Sequence, residues 1–148
     1  MAPARHDRGV SLLELLVALA LVGLLATLAY PSYRGALLRA HRLEAVDALL
    51  GLAAAQERFY ALHGRYATHL DDGSGSAEPG LSIATITRGG HYRLAVAASG
   101  ADFTATATVL EGSGQEADAR CSLFSIRASG QRRAQDHAGV DTTGPCWG

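Results

Sequence analysis

No nucleotide-binding glycine loop, zinc-ligand cluster or nucleophile elbow occurs in the 148 residues, which removes the commonest signatures of nucleotide chemistry, metal catalysis and acyl transfer. The six histidines (His6, His41, His63, His69, His91 and His137) show no metal-ligand spacing, and Ser11 sits inside an apolar segment, a poor place for a nucleophile. An enzyme is not expected, nor a cofactor or metal. Lysine is absent as well: all 13 basic residues are arginine, against 14 acidic ones. That near-balance creates no global field for nucleic acid or an acidic membrane surface, so nucleic acid is not expected as a partner. Asp71 and Asp72, in the loop-like run DDGSGSAEPG, lack the full ligand spacing of a calcium loop. Cysteine occurs only at Cys121 and Cys146. In an oxidising compartment one bridge would staple a modest core and close a loop of about 25 residues, for about 3 kcal/mol; two free buried thiols are the alternative.

What is present is concentrated at the N-terminus. Residues 1–9, MAPARHDRG, are polar and basic, and residues 10–30, VSLLELLVALALVGLLATLAY, carry a single charge, Glu14. As a helix this stretch spans roughly 30 Å, about one bilayer core. The basic leader places everything after Tyr30 on the far side of the membrane. A secretory signal fits poorly, because its cleavage site follows the apolar core and does not precede it. Glu14 within such a helix costs roughly 2.5–3.5 kcal/mol unless it finds a partner. Cleavage after Gly9 would supply one, the new ammonium of Val10; a carboxylate that snorkels or is protonated at the interface is the other reading.

Gly9, followed by Val10-Ser11-Leu12-Leu13-Glu14 and a long apolar helix, resembles the leader and N-terminal motif of type IV pilins and type II secretion pseudopilins. Gly23 and Pro31 match a glycine and a proline that type IVa pilins carry along this helix. Val10 departs from the pattern, in which the first mature residue is most often Phe. The resemblance implies cutting after Gly9 and N-methylation of Val10 by a prepilin peptidase. It further implies assembly with other pilin subunits through Glu14 and the helix, on an inner-membrane platform. The run QERFYALHGRYA, the segment ADARCSLFSIRASGQRR and the terminal Cys-Trp look closest to PilE-type minor pilins, whose C-terminal region is bounded by a disulfide like one between Cys121 and Cys146.

Beyond Tyr30, Pro31 and Gly23 bracket a stretch expected to kink or loosen. Leu38, Val46, Leu49, Leu50, Ala53, Phe59 and Leu62 recur at helical spacing and are expected to face a sheet. Arg34, Arg39, Arg42, Glu44, Asp47, Glu57 and Arg58 fall mainly opposite, as a solvated face or subunit contact. Alternation in HYRLAVAA, DFTATATVL and CSLFSIRA predicts three strands, QRRAQ a weaker fourth, and LSIATIT a further possibility. The expected fold is α+β: a long N-terminal helix, membrane-spanning then amphipathic, packed on a small antiparallel meander in the ladle shape of type IV pilins. Its expected parts are the leader 1–9 (removed), a transmembrane and polymerisation helix 10–31, an amphipathic helix 32–63 and a head 64–148. The expected function is structural, as a minor pilin held in the inner membrane before assembly and on the cell surface after it. A major pilin or pseudopilin is the alternative. A DNA-receptor pilin is a further one, with Arg127, Arg132, Arg133 and Arg120 its only candidates in the head.

Overall fold

The computed structural model describes residues 11–70 and 79–147. Gly9, Val10, Asp71 and Asp72 lie outside them. Helix α1 runs through Leu12–His63, 52 residues rich in Leu and Ala, and is helical through both Gly23 and Pro31. It stops where Gly64 turns left-handed (φ 68) and donates its N–H to the Tyr60 carbonyl at 2.8 Å, a turn that residues with a Cβ adopt reluctantly. The chain divides into two compact units between Leu37 and Leu38. The first holds the apolar part of α1.

In the second unit, the C-terminal part of α1 packs on a four-stranded antiparallel sheet with strand order equal to sequence order. The strands are β1 (Tyr92–Ser99), β2 (Asp102–Val109), β3 (Leu123–Arg127) and β4 (Arg132–Gln135). Their alternation sends Tyr92, Leu94, Phe103, Ala105, Ala107, Phe124, Ile126 and Ala134 inward. A short helix, α2 (Thr143–Trp147), then returns over β4. Cys146 on α2 is bridged to Cys121, with Cα atoms 5.8 Å apart and both residues buried in the core. The bridge settles the choice left open between disulfide and free thiols.

The helix face is displaced from the expected one. Ala45, Leu49, Leu52, Gln56 and Phe59 are buried, a stripe at steps of four, three, four and three. Leu50 and Leu62, expected inside, are 40% and 80% exposed. Gln56 joins the core because its amide is satisfied, accepting from Ala67 N–H at 2.9 Å and donating to the Ala67 carbonyl at 2.8 Å. A buried amide with both ends paired costs little. LSIATIT is not a strand; only an isolated bridge, Ile86 to Arg93, forms there. The segment meets the free edge of β1 through Thr87 N–H to the Tyr92 carbonyl at 3.0 Å and Leu94 N–H to the Thr85 carbonyl at 2.7 Å, and otherwise covers the core as a loop.

Candidate functional site

Two regions carry chemistry. The first is the exposed apolar part of α1, where an 18-residue window has a mean hydropathy of 2.5 and none of it is buried within the chain. Length and composition suffice to cross a membrane. Glu14 is exposed on this helix, among exposed leucines at positions 12, 13, 15 and 16.

The second is the β3–β4 hairpin and the edge it forms. From Cys121 to Gln135 the chain contains three arginines, Arg127, Arg132 and Arg133, and no carboxylate. All three are exposed. Because β4 is an edge strand, and successive strand residues take opposite faces, Arg132 and Arg133 straddle the sheet edge. Arg133 shares the outer face with a row of small and polar side chains aligned by register: Ala95, Thr106 and Ser125. Arg127, flanking the hairpin turn as Arg132 does, is bound to Asp102 at 2.7 Å, both about half exposed. Asp102 therefore offsets one of the three charges. Arg132 lies over the ring of Trp147 at 5.3 Å. Trp147 is itself fixed, donating its indole N–H to the Arg133 carbonyl at 2.8 Å and meeting Phe124 edge-on.

Of the four arginines singled out in the sequence, the hairpin brings three together; Arg120 precedes the disulfide in the turn beside it, where its carbonyl accepts from Thr142 at 2.8 Å. Sequence reasoning missed Trp147 and Asp102. The lone tryptophan next to Cys146 was the available signal, since a bridged cysteine fixes its neighbour's position. Acidic Glu111, Glu116 and Asp136 line a cleft with Thr108 and Gln135 at the far end of the sheet. That end of the sheet is acidic, in contrast to the hairpin end.

A polar seam on the helix side keeps this sheet in place. Arg42, expected on a solvated face, is instead largely covered and grips buried Asp118 with two bonds, 2.6 Å and 2.8 Å. It also reaches the Pro145 carbonyl at 3.3 Å. Glu44, likewise expected outside, accepts from Gly89 N–H at 2.7 Å and lies 2.6 Å from His91 Nδ1. His41 stacks on His91 at 3.7 Å and sits 2.9 Å from the Gln115 side-chain carbonyl. A Cβ at position 89 would lie 2.5 Å from the Glu44 carboxylate, so only glycine allows this approach.

Burial alone would raise the Glu44 carboxyl, but hydrogen bonds from Thr87, His91 and Gly89 outweigh it and hold the pKa below the usual value. The sign follows. This contribution is complete above the ordinary carboxylate pKa and is lost as pH falls through the lowered folded value. Glu44→Gln should cost about 2 kcal/mol at neutral pH. It should also flatten the acid limb of the stability curve, measured by denaturant melts across that range. An unchanged acid limb would remove Glu44 from that role.

The model of the family described as "Type IV minor pilin ComP, DNA uptake sequence receptor" matches residues 31–125. That of the prokaryotic N-terminal methylation motif matches residues 4–30. Among solved structures, a type IV pilin from Shewanella oneidensis is similar at 21% identity, covering 64% of this chain and 89% of that one, with a TM-score of 0.44. No curated protein matches the chain. The sequence-based expectation that nucleic acid is not a partner is corrected by the first of these findings, because the matching family is described by a DNA sequence that it receives. That expectation rested on net charge, which averages over the chain and does not register local clusters such as the arginines of the β3–β4 hairpin. The apolar N-terminal helix, the one such helix among the described residues, is that of a subunit anchored in the inner membrane before it is assembled into a surface pilus, with a structural and not a catalytic role. With a fold of one long helix on a small antiparallel sheet and a family match across well over half its length, the chain belongs to the type IV minor pilins of the ComP family.

Proposed function

We propose that this chain is a DNA-receptor pilin, a filament subunit whose head binds duplex DNA along the β4 edge. The family match over residues 31–125 carries the reading. The arginines at 127, 132 and 133 lie just beyond that match and supply the cationic surface the function needs. Phosphate contacts position a protein on DNA, and base contacts specify the sequence. Exposed Arg133 suits the first role, with hydroxyls of Thr106 and Ser125 beside it on the same face. The finer relation is then to ComP-type subunits and not to PilE-type ones.

The test is a duplex titration of the full-length chain in detergent at increasing salt. Binding that weakens linearly in log–log form, with a slope of about −2 for two phosphate contacts, supports the reading. No binding at low salt would overturn it.

The same proposal covers the route into the filament. The leader 1–9 is removed after Gly9 and Val10 is methylated, a reading supported by the methylation motif matching residues 4–30. Helix 10–31 then packs against neighbouring subunits, and the amphipathic helix 32–63 leads into the head 64–148. Glu14 pairs with the Val10 ammonium, neutralising two charges away from water. Gly23 and Pro31 let the helix adjust. Glu14→Ala should leave membrane insertion intact and remove the subunit from sheared filaments; normal incorporation would eliminate the pairing.

A further inference from the structure

Arg132 and Arg133 are neighbours with different freedom. Arg133 stands exposed on the outer face with the Asp141 carboxylate as its electrostatic neighbour, whereas Arg132 is laid over an indole. The indole is held on three counts. Its N–H is bonded to the Arg133 carbonyl, its edge abuts Phe124 in the core, and the preceding residue is covalently bridged to Cys121. A guanidinium stacked on a fixed ring keeps its planar fork in one orientation and loses less entropy when it forms two parallel bonds. A phosphate can take the same fork, but it also accepts single donors from many directions and so gains less from a fixed orientation. The Hoogsteen edge of guanine, with its O6 and N7 acceptors side by side, does require a flat, oriented fork. We infer that Arg132 reads a guanine in the bound duplex, with Trp147 as its positioning residue and Arg133 as a phosphate contact.

This inference rests on the DNA-receptor reading and goes further by naming the base and the residue that recognises it. The division of labour gives each arginine its own signature. Losing Arg133 should weaken binding to every duplex alike and reduce the salt slope by about 1. Losing Arg132's fork should erase a preference among sequences instead. Lysine at 132 keeps the charge but has no fork.

The experiment takes the tightest-binding duplex selected from a randomised pool by the full-length chain in detergent, and replaces its guanines by 7-deazaguanine. That change removes the N7 acceptor and leaves the phosphates untouched. The unaltered chain should bind the deaza duplex about tenfold more weakly, the loss of one bidentate base contact. Arg132→Lys should bind both duplexes equally, with its salt slope unchanged. Trp147→Leu should behave like Arg132→Lys, while Trp147→Phe, which keeps a ring under the guanidinium, should restore discrimination. A selected duplex without guanine, equal binding of both duplexes by the unaltered chain, or discrimination that survives Arg132→Lys would each overturn the inference alone. Absence of any duplex binding would overturn it together with the DNA-receptor reading.

Discussion

Arg42→Ala should lower the stability of the head by about 3 kcal/mol, because it leaves the Asp118 carboxylate buried without its cation. Asp118 is only 4% exposed and takes two bonds from the guanidinium. The loss extends further, since Arg42 also reaches the Pro145 carbonyl and Gln115 bonds both Asp118 and the Leu38 carbonyl. One substitution therefore loosens the β2–β3 connection and the tail from the same helix turn. Denaturant melts of the full-length chain in detergent measure the effect. Arg42→Ala paired with Asp118→Ala should recover part of the loss, since the stranded charge is then gone. A single-variant cost below about 1 kcal/mol would mean that the pair behaves like an exposed one.

Reversing the charge at both Arg132 and Arg133 to glutamate should weaken duplex binding on the order of 100-fold at low salt, by removing a base contact and a phosphate contact and setting two carboxylates against the duplex. Both side chains are exposed and neither holds the fold through an ion pair among the described residues, so melting should change little. The same reversal at Arg93, also exposed but on the opposite edge strand, should have a much smaller effect. Equal losses at the two edges would mean that binding follows net charge and not the hairpin.

Much of the architecture was legible because strands and helix wrote their faces at different periods. DFTATATVL alternates cleanly, and its Phe103, Ala105 and Ala107 are all buried. The sheet order needed only short turns between neighbours. The helix face was harder. With leucines at 49, 50, 52 and 62 all available, apolarity alone could not choose the stripe; the sheet chose it, and took polar Gln56 because Ala67 satisfies its amide. Arg42 and Glu44 were read as solvated because their partners, Asp118 and His91, are 76 and 47 residues away. No local pattern records such pairs. The candidate site was half visible: the arginines could be named from the sequence, but their setting could not. That Asp102 offsets Arg127 and that Trp147 lies under Arg132 follow from strand pairing and from the path of the tail.

The covalent loop between Cys121 and Cys146 has a mechanical meaning. On the DNA-receptor reading, the subunit is pulled at both ends, through its helix and through its cargo. Under such load a chain lengthens by unravelling, but a load entering at the arginines is shared by the two arms of the closed ring, so its segment cannot extend as one strand of about 80 Å. Arg127, Arg132 and Arg133 all lie within that segment. Tension that peeled the outer strands away would leave the arginines on a closed ring, still attached to each other and to the tryptophan that orients one of them.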